Sequence, residues 1–508
     1  MKIKISEITN ILRKKIANYH FDYQNPKFGS VISVGDGIAL VQGLNDAKYM
    51  EIVTFENAGN GLVFNLEENH VGVIIFEKQN QIQEKDRVET TGKIISIDVG
   101  TEFLGRVIDP LGKTLDSKPL IKSKEKRVIE NVAPSVMART AVNEPLETGI
   151  LAVDALLPIG KGQRELIIGD RQTGKTSLAL DAIINQKNKD VVCIYVSIGQ
   201  KSSSVLRMID KLKKNGAFSY TTVVVALSSA TEAMKFIAPF SGMTHAEYYL
   251  DQGKDVLIVF DDLSKHAIAY RGLSLLLRRT PGRQAYPGDI FYLHSRLLER
   301  AAKLKSDAGG GSITALPIVE TQLEDLTAYI PTNIISITDG QIFLINELFN
   351  LGFKPAIDYG LSVSRVGSTA QIEAIKKTVG SLKLDMAEYK ELKIFSQFGG
   401  NLDTNTNKVL EHGNRIIEIL KQKEFEQLPQ WMMVIILLSI KEKLIDQIEP
   451  KKIVIFRKHL IDHFMKIQKT KWLKNFIDSK KISDDVKVKI VEEIEKVISQ
   501  MKFLFKSF

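Results

Sequence analysis

A glycine-rich octapeptide in the second quarter of the chain constrains the fold more than any other feature. Residues 169–176 read Gly-Asp-Arg-Gln-Thr-Gly-Lys-Thr, which fits the pattern G-x-x-x-x-G-K-[ST]. A strand-like run over residues 165–168 precedes it, and a helical run from Ser177 to Ile184 follows. This order places successive backbone N–H groups and a helix N-terminus around a phosphate. The sequence therefore predicts a phosphate-binding loop in an α/β domain.

The residue types of this loop suit a nucleoside triphosphate. Lys175 is expected to neutralise the β and γ oxygens, and the Thr176 hydroxyl is expected to ligate Mg²⁺. The cofactors predicted from the loop are therefore ATP or ADP with Mg²⁺. The residues assigned to the nucleotide here are Asp170, Arg171, Gln172, Thr173, Gly174, Lys175, Thr176 and Ser177.

A carboxylate that completes a metal site is expected at the end of another buried strand. Asp261 and Asp262 follow the apolar run from Val256 to Phe260 in that position. We assign Asp261 to the metal. Asp262, which precedes Leu-Ser-Lys, has the alternative interpretation of a helix N-cap.

The chain divides into three parts by its periodicity. Residues 26–95 contain short alternating apolar segments separated by Gly and Asn turns, which is typical of a small antiparallel barrel or sandwich. Residues 96–370 alternate fully apolar strands with helical stretches, which predicts a parallel sheet covered by helices. Residues 371–508 show helical periodicity and are expected to form a bundle.

Composition restricts the possible functions further. The chain has 508 residues and no apolar run long enough to cross a bilayer, so membrane association is expected to be peripheral. The net charge of +9 comes from Lys and Arg spread along the chain, and no nucleic acid partner is predicted.

The basic, amphipathic segment at residues 1–25 is interpreted as a helix that docks on a partner. Cys193 lies in a strand-like run and is interpreted as an inert core thiol.

Over essentially its whole length, the sequence resembles the alpha subunits of F-type ATP synthases. That family implies a β-barrel crown, a RecA-like nucleotide domain with a P-loop, and a C-terminal helical bundle. The most specific stretches are residues 160–166 leading into the phosphate loop, 195–201, 261–265, 286–300, 329–333 and 360–367.

Two positions separate the alpha type from the catalytic beta type of the same family. The phosphate loop lacks the small residues of the beta type, and Gln200 stands where the beta type carries the glutamate that polarises water. An amide does not accept a proton from water, so Gln200 is assigned to nucleotide binding, and the site is expected to bind MgATP and turn it over poorly if at all. Some GTPases position water with glutamine, so the family resemblance is what makes this interpretation persuasive.

The resemblance also assigns roles to residues outside the loop. It makes Arg365 an arginine finger for the beta-subunit site, although spacing alone favours a surface ion pair and only the resemblance reverses that interpretation. It places Phe349, Lys354, Pro355 and Gln422 near the adenine; ordinary core packing is the alternative for Phe349.

Several positions depart from the family pattern near the nucleotide or the interface. The family usually has arginine at Ser202 and Lys354, glycine at Glu324 and glutamine at Glu424. The stretch from Leu438 to Asp446 also lacks the usual glycines.

The implied partners are beta subunits in an alternating three-plus-three hexamer, a gamma central stalk, and a delta subunit at the N-terminal helix. The implied location is the cytoplasmic face of a bacterial plasma membrane, where proton flow is coupled to ATP synthesis or hydrolysis.

Two other hypotheses remain: a diverged alpha-like subunit that drives another membrane machine, and a hexameric helicase like the terminator Rho. Gln200 argues against the helicase, which would need a catalytic glutamate and exposed aromatic residues for RNA.

Overall fold

A computed structural model describes residues 28–506, except for 57–58, 78, 122, 124 and 398–403. The helix expected over residues 1–25 lies outside the described residues. The chain forms two compact units, the first ending at Ile95 and the second beginning at Ser96.

The first unit is a closed six-stranded barrel in which every neighbouring pair of strands is antiparallel. Closure leaves no unpaired strand edge, and this selects the barrel over the sandwich that the sequence left open. The interior is apolar, with Val41, Val53 and Val73 fully buried. The strands, which close in the order β1-β2-β5-β4-β3-β6, are β1 (Phe28–Gly35), β2 (Ile38–Gln42), β3 (Glu51–Phe55), β4 (Gly59–Leu66), β5 (Val71–Ile75) and β6 (Arg87–Ile94).

The second unit is built on an eight-stranded sheet of order β16-β15-β10-β14-β13-β11-β12-β8. All neighbours in it are parallel except β15 and β16. β7 and β9 form a separate antiparallel pair. The strands are β7 (Ser96–Val99), β8 (Val107–Ile108), β9 (Glu125–Val128), β10 (Leu166–Gly169), β11 (Val191–Gln200), β12 (Thr221–Leu227), β13 (Asp255–Asp261), β14 (Ser312–Glu320), β15 (Gly340–Leu344) and β16 (Val363–Ser364).

Burial explains why the central strands pair in parallel. Nearly every residue of β10, β11, β13 and β14 is buried, so both faces of the sheet are covered. The connections between these strands carry helices, as parallel pairing requires. The parallel nucleotide-domain sheet predicted from the sequence is therefore confirmed. The helices of this part are α1 (Leu151–Leu156), α2 (Lys175–Ile184), α3 (Ser202–Lys214), α4 (Glu232–Leu250), α5 (Leu263–Leu276), α6 (Ile290–Leu298), α7 (Tyr329–Ile337) and α8 (Asn346–Asn350).

The C-terminal part is helical, as predicted. Its central helix is buried all round: every residue from Met432 to Ile440 is at most 3% exposed, and all but Ser439 are apolar. No helix within the described residues has the length and apolar character needed to cross a lipid bilayer. The helices are α9 (Glu373–Val379), α10 (Leu382–Gln397), α11 (Thr404–Leu420), α12 (Gln430–Lys441), α13 (Ile453–Ile467), α14 (Lys471–Ser479) and α15 (Asp484–Lys506).

One ion pair lies in the interior of the second unit. The guanidinium of Arg300, which is 1% exposed, donates from Nε and Nη2 to the two carboxylate oxygens of Glu247 at 2.6 and 2.8 Å. Its remaining nitrogen, Nη1, donates to the Ile129 carbonyl at 2.9 Å. The pair joins α4 to the chain that follows α6, and each charge depends on the other because neither meets solvent.

We expect Glu247→Ala to destabilise the chain by about 3–5 kcal/mol, because it leaves a buried guanidinium without its counter-ion. The midpoint of urea unfolding measures the effect. Glu373→Ala is the matched control, since it breaks an exposed pair with Lys377 on α9 and should leave the midpoint in place. Equal shifts in the two variants would contradict the prediction.

Candidate nucleotide-binding site

The phosphate loop joins β10 to α2 and depends on two glycines. Gly174 has φ of 97°, in the left-handed region, and stands directly before the first residue of α2. At Gly169, a Cβ atom would lie 2.3 Å from the Leu344 carbonyl oxygen, so a larger residue does not fit between β10 and β15. These constraints turn the chain sharply from the sheet into the N-terminus of α2, where N–H groups are free for an anion.

Inside the loop, Lys175 is buried and its ammonium donates to the backbone carbonyls of Gly169, at 2.7 Å, and Asp170. Burial lowers the pKa of Lys175, while nearby carboxylates that include Glu320 and Asp262 oppose the shift. The ammonium is therefore held at the loop by carbonyl oxygens.

Two predicted loop residues have side chains engaged elsewhere. The carboxylate of Asp170 accepts from Thr321 Oγ1 at 2.6 Å, from the Glu324 N–H at 3.0 Å and from Asn346 Nδ2 at 3.2 Å. It therefore anchors the loop to the segments after β14 and β15. The exposed side chain of Arg171 pairs with Glu320 at the end of β14.

The carboxylate of Asp261 connects three elements at the carboxyl edge of the sheet. Its Oδ2 accepts from the Thr176 hydroxyl at 3.1 Å and from the Tyr195 hydroxyl at 2.5 Å, and its Oδ1 accepts from Gln200 Nε2 at 3.1 Å. Burial, with the charge of Asp261, raises the pKa of Tyr195, which therefore stays a neutral donor. A hydroxyl and a carboxylate this close are hard oxygen donors of the type that Mg²⁺ prefers, so Thr176 and Asp261 fit the predicted metal.

Asp262 has a different structural role. Its Oδ1 accepts from the backbone N–H groups of Ser264 at 2.6 Å and Lys265 at 3.2 Å, so it caps the N-terminus of α5. Burial raises its pKa to about 6. The N-cap interpretation that the sequence left open for this residue agrees with the geometry.

A cleft opens beside the loop, between α2 and the segments after β15 and α11. Lys354 Nζ lies 4.8 Å from the centroid of the Phe349 ring, a cation–π distance. The structure thus brings all four residues assigned to the adenine to one cleft. Its lining is Ile150, Thr173, Gly174, Ser177, Leu178, Asp181, Leu344, Phe349, Lys354, Pro355, Ala356, Gln422, Lys423 and Glu424.

Gln422 lines this cleft with a side chain that is already engaged. Its Oε1 accepts from the Leu151 N–H at 2.9 Å, and its Nε2 donates to the carbonyls of Gly149, at 2.7 Å, and Glu426. The amide therefore fixes the wall of the cleft by joining α1 to the segment after α11.

Arg365 lies away from the phosphate loop. It follows β16, where Ser364 pairs with Gly340 at the start of β15. Leu344, at the end of β15, pairs with Gly169 in the loop. At about 3.3 Å per residue, roughly 13 Å of strand separates the two positions. Within the described part of the chain, the exposed side chain of Arg365 forms no salt bridge, although its charge acts on the buried carboxyl of Glu165.

Comparison with known proteins decides the family. A model of the ATP synthase alpha/beta family nucleotide-binding domain matches residues 149–364, and the models of its beta-barrel and C-terminal domains match residues 27–92 and 371–497. ATP synthase subunit alpha 1 of Mycoplasmopsis pulmonis is 53% identical over 98% of this chain and 95% of its own length. ATP synthase subunit alpha of Mycoplasma genitalium is 54% identical over 91% of this chain and 90% of its own length.

The chain belongs to the ATP synthase alpha subunit family. Nucleotide binding and a part in ATP synthesis follow from this membership. The resemblance read from the sequence is confirmed.

One departure from the alpha-subunit pattern has a structural explanation. Glu324 has φ of 59°, a left-handed conformation that costs a non-glycine residue about 1–3 kcal/mol and a glycine little. Here the Glu324 carboxylate accepts from the Asn346 N–H at 2.8 Å. This hydrogen bond offsets part of the strain and ties the segment after β14 to the N-terminus of α8.

Two carboxylates line the cleft of this alpha subunit: sequence reasoning missed Asp181 and named Glu424 only as a departure from the family pattern. Asp181 stands one helical turn after Ser177 on α2, and its Oδ1 accepts from the Phe425 N–H at 2.8 Å. Glu424 accepts from the Ser177 hydroxyl at 3.1 Å and lies 3.5 Å from Lys211 Nζ. The i, i+4 spacing from Ser177 was the signal that could have placed Asp181 at the cleft.

Burial raises the pKa of Asp181 from 3.8 to about 7, and the neighbouring charge of Glu424 adds to the shift. The folded chain thus keeps a proton that the unfolded chain releases, so stability falls as pH rises from about 4 to about 7. We expect Asp181→Asn, whose side-chain oxygen still accepts from Phe425, to gain stability over the parent across this range and to hold the gain above it. Thermal unfolding between pH 5 and pH 8 measures the difference.

Asp210→Asn on the exposed surface of α3 is the matched control for this experiment, and its melting temperature should run parallel to that of the parent. An Asp181→Asn difference that stays constant with pH would show that Asp181 does not hold the proton.

Proposed function

We propose that this chain is the non-catalytic, nucleotide-binding alpha subunit of an F-type ATP synthase and that it donates Arg365 to the site of a neighbouring beta subunit. The observation that carries the proposal is a complete phosphate loop faced by the amide of Gln200, together with an exposed arginine at the opposite end of the strands that forms no salt bridge with the described residues.

In this proposal the chain binds ATP or ADP through the loop, with the N–H groups of residues 170–177 and the Lys175 ammonium on the phosphates. Thr176 and Asp261 hold Mg²⁺, which supplies charge neutralisation at the phosphates when bound. The base enters the cleft, where Phe349 and Pro355 offer apolar surface and Lys354 and Gln422 form its walls.

The site is proposed to hold nucleotide without hydrolysing it. Hydrolysis needs a group that takes a proton from water or orients it strongly, and an amide is not a base. In addition, the amide nitrogen of Gln200 is engaged by Asp261 at 3.1 Å. A carboxylate at position 200 would stand beside that of Asp261 with no donor between them, so glutamine suits this environment.

The position of Arg365 supports a role outside its own site. About 13 Å of strand separates its backbone from the phosphate loop, and its exposed guanidinium is available to another molecule. An arginine supplied in trans to a phosphoryl-transfer site stabilises the charge that develops there and contributes about 10³ to 10⁵ in rate.

The assembly proposed is an alternating ring of three alpha and three beta subunits around a gamma central stalk, with a delta subunit on residues 1–25. The ring lies peripherally on the cytoplasmic face of a bacterial plasma membrane and couples proton translocation to ATP synthesis or hydrolysis. Full-length similarity to ATP synthase alpha subunits of several mycoplasmas supports this assignment.

The isolated chain should bind MgATP and hydrolyse it negligibly, because it has the phosphate loop but carries an amide instead of a carboxylate at position 200. Equilibrium dialysis and a phosphate-release assay measure the two properties. Lys175→Ala should lose binding, whereas Lys408→Ala on α11 should bind normally. Vigorous hydrolysis by the isolated chain, with or without RNA, would overturn the proposal.

In a complex reassembled with the beta and gamma subunits, Arg365→Lys should lower sustained turnover by about 10³-fold or more, because an ammonium does not reproduce the planar guanidinium on the transferred phosphate. Nucleotide binding to the isolated variant should stay at the parental level, since Arg365 is remote from its own loop. Undiminished turnover would refute the assignment of Arg365.

A further inference from the structure

The loop that carries Arg365 is attached to the chain segment just before β10, which leads into the phosphate loop. Gln163 is fully buried, and its Nε2 donates to Ser364 Oγ at 3.2 Å and to Glu165 Oε2 at 2.7 Å. The Ser364 hydroxyl in turn donates to the Pro158 carbonyl at 2.7 Å. The residue directly before Arg365 is therefore held by a buried hydrogen-bond network.

A second attachment holds Arg365 itself. Its backbone N–H donates to the Asp339 carbonyl at 2.8 Å. The Asp339 carboxylate receives the Arg164 guanidinium at 2.9 and 3.1 Å and the Arg164 N–H at 3.0 Å. Two consecutive residues, Gln163 and Arg164, thus fix two consecutive residues of the arginine loop.

Glu165 adds an unusual element to this network. It is fully buried, and its Oε1 has no hydrogen-bond partner in the part of the chain that the structure describes. The backbone of Gly340 lies so close that a Cβ atom there would stand 2.5 Å from Glu165 Oε2. Burial raises the pKa of Glu165 well above its usual value, and the charge of Arg365 acts in the opposite direction. Burying a carboxyl without a salt bridge costs free energy, and an apolar side chain would fill the same space without that cost. The carboxyl at position 165 therefore calls for a structural or functional reason.

We propose that Gln163 and Glu165 are positioning residues for Arg365: through Ser364 they fix the direction in which the guanidinium leaves the surface toward the adjacent subunit's nucleotide. The inference rests on the arginine donation proposed above. The guanidinium forms no salt bridge with the described residues of its own chain, so the hydrogen bonds of its backbone N–H and of Ser364 set where the side chain starts. A displacement of about 1 Å at a reacting group is enough to lower a rate about 100-fold.

The test is a double-mutant cycle in the reassembled complex with beta and gamma subunits. Gln163→Leu and Ser364→Ala should each lower kcat about tenfold to 100-fold and leave KM unchanged, because substrate binds in the beta site while the arginine acts on the transition state. In an Arg365→Ala background the same substitutions should have no further effect, since the group they position is gone. Additive losses in that background would overturn the inference.

Two further variants separate positioning from simple damage to the fold. Ser336→Ala removes an exposed α7 hydroxyl that donates only to the Asn333 carbonyl, so kcat should be unchanged. Glu165→Gln keeps the oxygen that accepts from Gln163 and should retain parental kcat, whereas Glu165→Ala should not. A Glu165→Gln loss as large as that of Glu165→Ala would overturn the role given to the hydrogen bond.

The result also separates this inference from the function on which it rests. If Arg365→Ala leaves kcat unchanged, the arginine donation itself fails. If Arg365→Ala lowers kcat but Ser364→Ala and Gln163→Leu do not, the donation stands and only the positioning role is refuted.

Discussion

The parallel alignment of β10, β14, β13 and β11 is the constraint on which the site depends. Because the carboxyl ends of these strands meet at one edge, residues far apart in sequence arrive together there without long loops. The hydrogen bonds to the Asp261 carboxylate result from this alignment. The carboxylate lies at the end of β13, and its donors lie on α2 (Thr176) and β11 (Tyr195 and Gln200). The order of the buried strands therefore sets the chemistry of the site.

Local patterns in the sequence were sufficient for the architecture. Fully apolar strands predicted the parallel sheet, Gly and Asn turns predicted the β-rich first part, and the octapeptide at 169–176 located the phosphate loop. Closure of the barrel was not determined by alternation alone, because a sandwich has the same alternation and only the pairing of β1 with β6 decides between them.

Roles of individual side chains were harder to predict, because they depend on contacts across the chain. Nothing local to Asp170 indicates that its carboxylate points toward Thr321 and Asn346, which lie more than a hundred residues away. The family resemblance named Gln422 among the residues near the adenine, and Gln422 lines the cleft, yet its amide is already hydrogen-bonded to backbone groups of α1 and of its own segment. The pattern places a residue at a site, whereas only the packing determines which of its atoms face the ligand.

The two ends of the short strand β10 are connected to two different loops. Gly169, at the end of β10, begins the loop that receives phosphate, whereas Gln163 and Arg164, just before its start, hold the loop of Arg365. A strand buried on both sides and paired with β14 and β15 is a stiff connection, since bending it would break hydrogen bonds with both neighbours. The loop that carries Arg365 and the phosphate loop are therefore both attached to the same rigid strand, β10. Under the proposal that this subunit donates Arg365 and does not hydrolyse its own nucleotide, an intact phosphate site still has a structural use, because the strand that leads into the phosphate loop is also bonded to the loop of Arg365.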